Sequence, residues 1–380
     1  MICKCPNCGE ALSYNIDEQL LLCPACDSNF NPNDAVDEET ISEYETMQCD
    51  IYSCTTCGAE IAVNDVEAAT FCAYCGQPTI IFNRVASQKK PEFIIPFSIT
   101  REQAEEAIRN HLRRGFFVDG GVKNFQTERI CGIYVPFWLY DVFYSSNQVL
   151  RGTIKHGKYR QTHYYRRISE CTFNKVTVDA SRRLQDESSQ RLEPFDTTAL
   201  KPFEAGYLSG FYADCYDSTS QDKKFFAVYK VKELFNQEVI KSVPADNVKI
   251  TQDNPTHEIL SETYAMLPVW FLSFIHEDKG YTIMVNGQTG KTVGAVPYVK
   301  FKIKAAIMIL GTLLSGLAIK FLESDLYSHP KDFRESLFIY IVLIFISFSY
   351  GAKQFKKLKK SIGLTTAESI NKFAKERQDG

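Results

Sequence analysis

The chain has 380 residues, 44% of them hydrophobic and 23% charged, with a formal net charge of −3. That length allows two or three domains and a sizeable core, which excludes wholesale disorder, and the balance excludes a globally basic nucleic-acid binder. The charge is unevenly placed. After Lys4 no Lys or Arg occurs until Arg84, and Cys5–Asn83 carries 14 Asp and Glu, whereas the rest of the chain carries 42 Lys/Arg against 32 Asp/Glu. An acidic head precedes a basic body.

Ten of the 13 cysteines precede residue 76, and eight of them form four CxxC pairs: Cys5/Cys8, Cys23/Cys26, Cys54/Cys57 and Cys72/Cys75. Fourteen residues separate the inner cysteines of each set, and the second set repeats the first at an offset of 49, an internal duplication. A CxxC turn offers two thiolates from one loop, and Zn²⁺ takes four in a tetrahedron. Gly9, Gly58 and Gly76 follow the second cysteine of three pairs, where a knuckle needs a positive φ; Asp27 holds that place in the other. The pattern predicts two zinc ribbons, at 1–30 and 51–83, each binding one zinc ion that supplies most of its folding free energy. A disulfide framework is the alternative in an oxidising compartment, but Met1 leads straight into the first pair with no signal peptide. A redox CxxC normally occurs singly at a helix start. Cys3, Cys49, Cys131, Cys171 and Cys215 read as ordinary thiols, Cys3 competing with Cys5 as a ligand. The head's lack of cations, with about −2 more at each Cys₄ site, argues against nucleic acid and for a protein partner.

Between the ribbons, residues 31–50 form an acidic linker. Residues 84–300 read as an α+β cytoplasmic domain. In it Phe93–Ile99 is an expected strand, and Thr100-x-x-Gln103 is a capping box opening an amphipathic helix with Ala104, Ile108 and Leu112 on one face. Ile133–Tyr144 and Leu267–Ile275 are expected apolar strands, Tyr134–Leu139 echoing Leu267–Phe271. A strand-rich hairpin is expected at 150–180 and a helix over 220–240. Gly287–Thr292 ends like a phosphate-binding loop but has Val285 where that loop needs glycine, and Asn286-Gly287 is a hairpin-turn signal. Arg151, Lys155, Lys158, Arg160, Arg166 and Arg167, interleaved with tyrosines, form a candidate patch for an anionic ligand. The alternatives there are the solvated face of a hairpin and a dock for the acidic head. The six histidines are scattered, and neither a nucleophile elbow, a dinucleotide fingerprint nor a Walker A loop occurs, so no enzyme is expected.

Ala305–Phe321 and Ser336–Ala352 are apolar runs of about 17 residues, roughly 26 Å as helix. They predict a transmembrane hairpin over 305–352, with a pair of buried helices as the alternative. Lysines at 300, 302 and 304 and in the basic tail 353–380 place the ribbons, the middle domain and the tail on the cytoplasmic side of a two-pass cell-membrane protein, its basic flanks facing anionic lipid.

The segments CPNCGEAL, CTTCGAEI and TFCAYCG, followed by IIPFSIT, YVPFWLYD and VNGQTGK, resemble a bacterial family of double zinc-ribbon membrane proteins. These are labelled TFIIB-type or, through the ribbons alone, PriA-helicase-like. The resemblance implies Cys5, Cys8, Cys23 and Cys26, then Cys54, Cys57, Cys72 and Cys75, as ligands, and no catalytic residues. It further implies partners of the phage-shock-protein-A or SPFH kind in envelope stress. The expectation is a membrane-anchored adaptor that brings such a protein to the inner face of the membrane, with a nucleic-acid-binding ribbon protein as the alternative.

Overall fold

Three strands far longer than the usual five or six residues organise the protein. The computed structural model describes residues 3–33, 46–54, 60–62, 81–113, 118–123, 130–157, 159–181, 191–276 and 279–294, and isolated positions beyond. The strands are β1 (Ser13–Asn15), β2 (Leu20–Leu22), β3 (Asn29–Phe30), β4 (Thr46–Cys54), β5 (Glu60–Ala62), β6 (Ile81–Lys89) and β7 (Phe93–Ile94). Then follow β8 (Ile130–His156), β9 (Tyr159–Asp179), β10 (Lys201–Pro202), β11 (Tyr212–Asp214), β12 (Asp246–His276), β13 (Lys279–Asn286) and β14 (Thr292–Gly294). Two α-helices have described bounds, α1 (Arg101–Arg113) and α2 (Ser220–Lys241), and residues 191–192 and 301–302, Ala305, Lys320 and Lys353 are helical as well.

β1–β3 make a small sheet of their own, and the other 11 strands form one mixed sheet. β8 and β12 are antiparallel along almost their whole lengths, from Leu272 opposite Ile130 to Asp246 opposite Thr153. At 27 and 31 residues they run about 90 and 100 Å, so each has different neighbours at its two ends. Near Ile133, β8 also pairs with β11 in parallel; from Phe137 outward it pairs with β9 instead. β12 meets β7 at Ala265–Met266 and β13 at Val269–His276. The echoing segments around Tyr134 and Leu267 thus lie side by side, Leu267 opposite Val135. The result is a broad proximal sheet from which β9, β8 and β12 project as a three-stranded arm.

The core sits at the proximal end, and its hub is aromatic. Phe97 stacks on Phe211 with centroids 4.4 Å apart and lies 5.0 Å from both Tyr134 and Trp270. A Cβ at Gly132 or Gly287 would come within 2.6 Å of the rings of Phe211 or Phe97, so only glycine fits there. α1 begins at the expected capping box. Thr100 N–H donates to Gln103 Oε1 at 3.0 Å, Gln103 N–H returns to Thr100 Oγ1 at 3.4 Å, and Ala104, Ile108 and Leu112 are buried. α2 is capped reciprocally by Thr219 and Asp222, and lays Ala227, Val231, Phe235 and Val239 on one face of the arm. Asn286–Gly290 is a turn between β13 and β14: Gly290 takes φ +74° and its N–H donates to Asn286 O at 2.9 Å. It joins two strands where a phosphate-binding loop would open a helix.

Two expectations are corrected. The fold, among the described residues, is a large mixed sheet carrying α1 and α2, in place of the expected α+β middle domain followed by a two-helix transmembrane hairpin. Among the described residues no helix is long and apolar enough to cross a membrane. α1 has only 13 residues, and α2 carries Lys223, Lys224, Lys230, Lys232 and Glu233 among its 22. The two-pass membrane localisation loses its support with the hairpin; residues 305–352 lie, apart from Ala305 and Lys320, outside the described residues.

A polar cluster ties α2 to the arm. Asp253 accepts from Ser146 Oγ at 2.7 Å and Gln148 Nε2 at 2.9 Å, and Lys232 Nζ lies 3.0 Å away. Burial pushes its carboxyl pKa up, but Gln148, Ser146 and Lys232 outweigh burial and hold it below the ordinary carboxylate range. A depressed folded pKa means stabilisation that is complete above about pH 4, the unfolded value, and is lost as pH falls through the folded one. Asp253→Asn is therefore expected to lower stability at pH 7 and to flatten its loss below pH about 4. Urea midpoints from pH 7 to 3 would check this.

Candidate metal centre

The first two CxxC pairs come together as expected. Cys5, Cys8, Cys23 and Cys26 place their sulfurs within 4.8 Å of one another, a group that could hold a metal ion. Cys5 Sγ is 3.6 Å from Cys26 Sγ, and Cys8 Sγ is 3.4 Å from Cys23 Sγ. These exceed the ~2.05 Å of a disulfide bond and approach the ~3.8 Å edge of a tetrahedron with 2.3 Å zinc–sulfur bonds. The donor set fits a thiophilic, tetrahedral ion.

Each pair sits in the same local loop, for the same reason. Gly9 N–H donates to Cys5 O at 2.8 Å and Cys5 N–H to Glu10 O at 2.7 Å. In the second knuckle Asp27 N–H donates to Cys23 O at 3.0 Å and Cys23 N–H to Ser28 O at 3.0 Å. The turn needs a left-handed residue after the second cysteine. Gly9 supplies it at φ +79° and Asp27 at φ +54°, so the substituted position keeps the geometry at a conformational cost. Asp27→Gly is expected to raise metal affinity by about 1 kcal/mol, five- to tenfold, in a chelator competition.

Cys5 and Cys23 are buried while Cys8 and Cys26 are exposed, so the group is half sunk in its module. The Ser28 hydroxyl and backbone N–H favour the Cys26 thiolate and bring its pKa down to about 6. Cys8 goes the other way: the backbone at Glu10 lowers it, but sharing protons with Cys23, Cys26 and Cys5, together with burial, pushes it up to about 12. A metal ion would replace those shared protons with its own charge. Cys3 is 6% exposed and stands outside the group. Among the remaining cysteines, burial pushes the Cys131 thiol up to about 11.

The module is fixed to the body by apolar and backbone contacts. Tyr14 packs edge-on to Tyr207 and Phe211, at 5.4 and 6.5 Å between centroids, and its N–H donates to Ser209 O at 3.1 Å. Gln19 Nε2 donates to Phe97 O at 2.8 Å, reaching the aromatic hub. Gly206 lets Pro32 and Leu21 approach so closely that a Cβ would meet Pro32 O at 3.0 Å. Nothing in the composition of the head forecast this seam, because it pairs Tyr14 with residues nearly 200 positions away.

Of the second expected set, Cys54 ends β4 opposite Ile81, and Cys57, Cys72 and Cys75 lie outside the described residues. β5, between the two pairs, joins β11 and so ties this segment into the main sheet.

The candidate basic patch is sorted by strand register. Arg151 lies opposite Tyr164, Lys155 opposite Arg160 and Val149 opposite Arg166, so these share one face of the arm, the face away from α2. Lys249, opposite Arg151 on β12, joins them; it is 98 positions distant in sequence and was missed there. Arg167 is on the other face, where Nε donates to Ser242 Oγ at 3.3 Å beyond the end of α2. Lys158 lies outside the described residues.

No protein-family model matches the chain, and no solved structure does. It is 28% identical over 314 residues to a Bacillus subtilis (strain 168) protein described as "Uncharacterized protein YdjG", an alignment spanning 80% of this chain and 92% of that one.

Proposed function

We propose that the chain is a zinc-ribbon adaptor: a protein whose metal is structural and whose work is to hold and present a docking surface to a protein partner. The observation that carries this reading is the closed set of four cysteines on a module seated against the base of a long β arm. Four thiolates complete zinc's tetrahedron and leave no position for a substrate or an activated water. The ion is zinc on this reading, and the duplication at an offset of 49 assigns a second one to Cys54, Cys57, Cys72 and Cys75. The resemblance to double zinc-ribbon proteins supports partners of the phage-shock-protein-A or SPFH kind. Affinity purification of the intact chain, with Cys5→Ser and Cys54→Ser alongside, tests it. A partner lost from either variant supports the adaptor; a partner list unchanged in both removes the ribbons from recruitment.

A second reading, nucleic-acid binding, is favoured by one observation: Arg151, Lys155, Arg160, Arg166 and Lys249 share a face with the exposed Tyr164. Phosphates would meet the cations while a base stacks on the ring. Five such contacts give a log–log salt slope of about −3.5 on single strands. A flat salt response would remove this reading.

A further inference from the structure

β9 leaves a long edge open. Among the described residues it pairs only with β8, over Tyr159–Asp179. The arm's opposite edge, β12 outward of Tyr264, is defended: it carries Pro255, which has no N–H to offer, and register breaks at 246/249, 250/252 and 259/261. β9 has no proline, and its single break, opposite Tyr140/Val142, falls near the proximal end. On this undefended edge sit two of the most exposed large apolar side chains of the protein, Ile168 at 71% and Tyr164 at 67%.

The order of charges around Ile168 is self-complementary. Arg166 and Glu170 flank it at equal distances, all three side chains emerge on the face away from α2, and all are exposed. In an antiparallel pair of identical strands related by a twofold axis perpendicular to the sheet, opposite residues share a face. Centring that axis on Ile168 sets Ile168 against itself, Arg166 opposite Glu170 of the second copy and Glu170 opposite its Arg166, with Tyr164 over Thr172. Arg166 Nε now donates to Asn147 Oδ1 at 3.1 Å, leaving its terminal nitrogens for the carboxylate.

We infer that this edge is a homodimer interface: β9 of one chain pairs antiparallel with β9 of a second, centred on Ile168, to give a continuous six-stranded sheet. Both α2 helices then lie on one face and both sets of arm cations on the other, doubling the basic surface. The interface adds two charge pairs and one apolar contact to a run of backbone hydrogen bonds.

Sedimentation velocity on the intact chain, at concentrations from about 1 to 50 μM, tests it. The expected result is a dimer that Ile168→Lys and Arg166→Glu each weaken at least roughly tenfold, while the double variant Arg166→Glu/Glu170→Arg recovers the association. Because Ile168 is exposed, Ile168→Lys leaves the fold intact, which circular dichroism verifies. In a Cys171→Ser background, Ile168→Cys should cross-link to itself on mild oxidation, as residues paired on the axis lie about 4.5–5.5 Å apart at Cα. A monomer throughout the range overturns the inference. So does a dimer indifferent to these substitutions, or one that Tyr165→Cys traps and Ile168→Cys does not, since that would place the axis elsewhere.

Discussion

Cys23→Ser is expected to cost the first module its metal and its fold together. Cys23 opens the second knuckle and is fully buried, and its sulfur is one of four in the group. A module of about 30 residues buries too little apolar surface to fold alone, and structural zinc contributes about 10–16 kcal/mol of apparent binding free energy to such folds. Losing one ligand therefore removes more than the module's own stability. Elemental analysis should show one metal equivalent fewer per chain, and limited proteolysis should cut within residues 3–33 while sparing the arm. The seam against Tyr207 and Phe211 would open at the same time. Cys3→Ser, outside the group, should leave the metal content unchanged; equal loss in the two variants would refute the assigned ligands.

Phe97→Ala is expected to be the most damaging single change in the body. The side chain is fully buried and touches Tyr134, Phe211 and Trp270, each from a different part of the chain. Large-to-small truncation of a buried phenylalanine costs about 3–5 kcal/mol, the upper end applying where neighbours cannot collapse into the gap. Here Tyr134 and Trp270 are held by β8 and β12, and Phe211 stands immediately before β11. The denaturant midpoint should fall with an unchanged m-value, since the surface exposed on unfolding stays the same. Gly287→Ala probes the same spot by overfilling: its Cβ would stand 2.6 Å from the Phe97 ring, for a loss of about 1–3 kcal/mol.

What the sequence discloses here is what is local. The cysteine ligands are readable because metal chemistry prescribes their spacing, and the knuckle geometry follows within a few residues. The Thr100/Gln103 cap, the Thr219-capped helix and the Asn286 turn are readable for the same reason. The strands were only half visible. Apolar runs mark Ile133–Tyr144 and Leu267–Ile275, and the hairpin expected at 150–180 takes in the outer end of β8 and all of β9, but nothing marks Ser145–Val149 or Asp246–Tyr264, where one face is open and the composition polar. Pairing holds those segments extended, and pairing is not written in any window of one strand. Lys249 beside Arg151, and Tyr14 against Tyr207, are products of register and topology. The spans expected at 305–352 fall almost wholly outside the described residues, and no described helix is long and apolar enough to cross a membrane.

The partnership of β8 with β12 has a consequence for the chain as it is made. Leu272 lies opposite Ile130, so the inner end of this ladder closes a loop of 142 residues, while β8 and β9 meet across a turn at Gly157. The hairpin can form as soon as it leaves the ribosome. The apolar stretch around Leu139 then waits for about 84 more residues beyond the hairpin, some 4 to 17 seconds at usual elongation rates, before its second neighbour on β12 exists. Long-range closure of this kind makes for slow folding. The nascent protein therefore passes through a stage in which half of its eventual sheet is exposed, and it is then that a chaperone, or a second nascent chain, has its chance to bind.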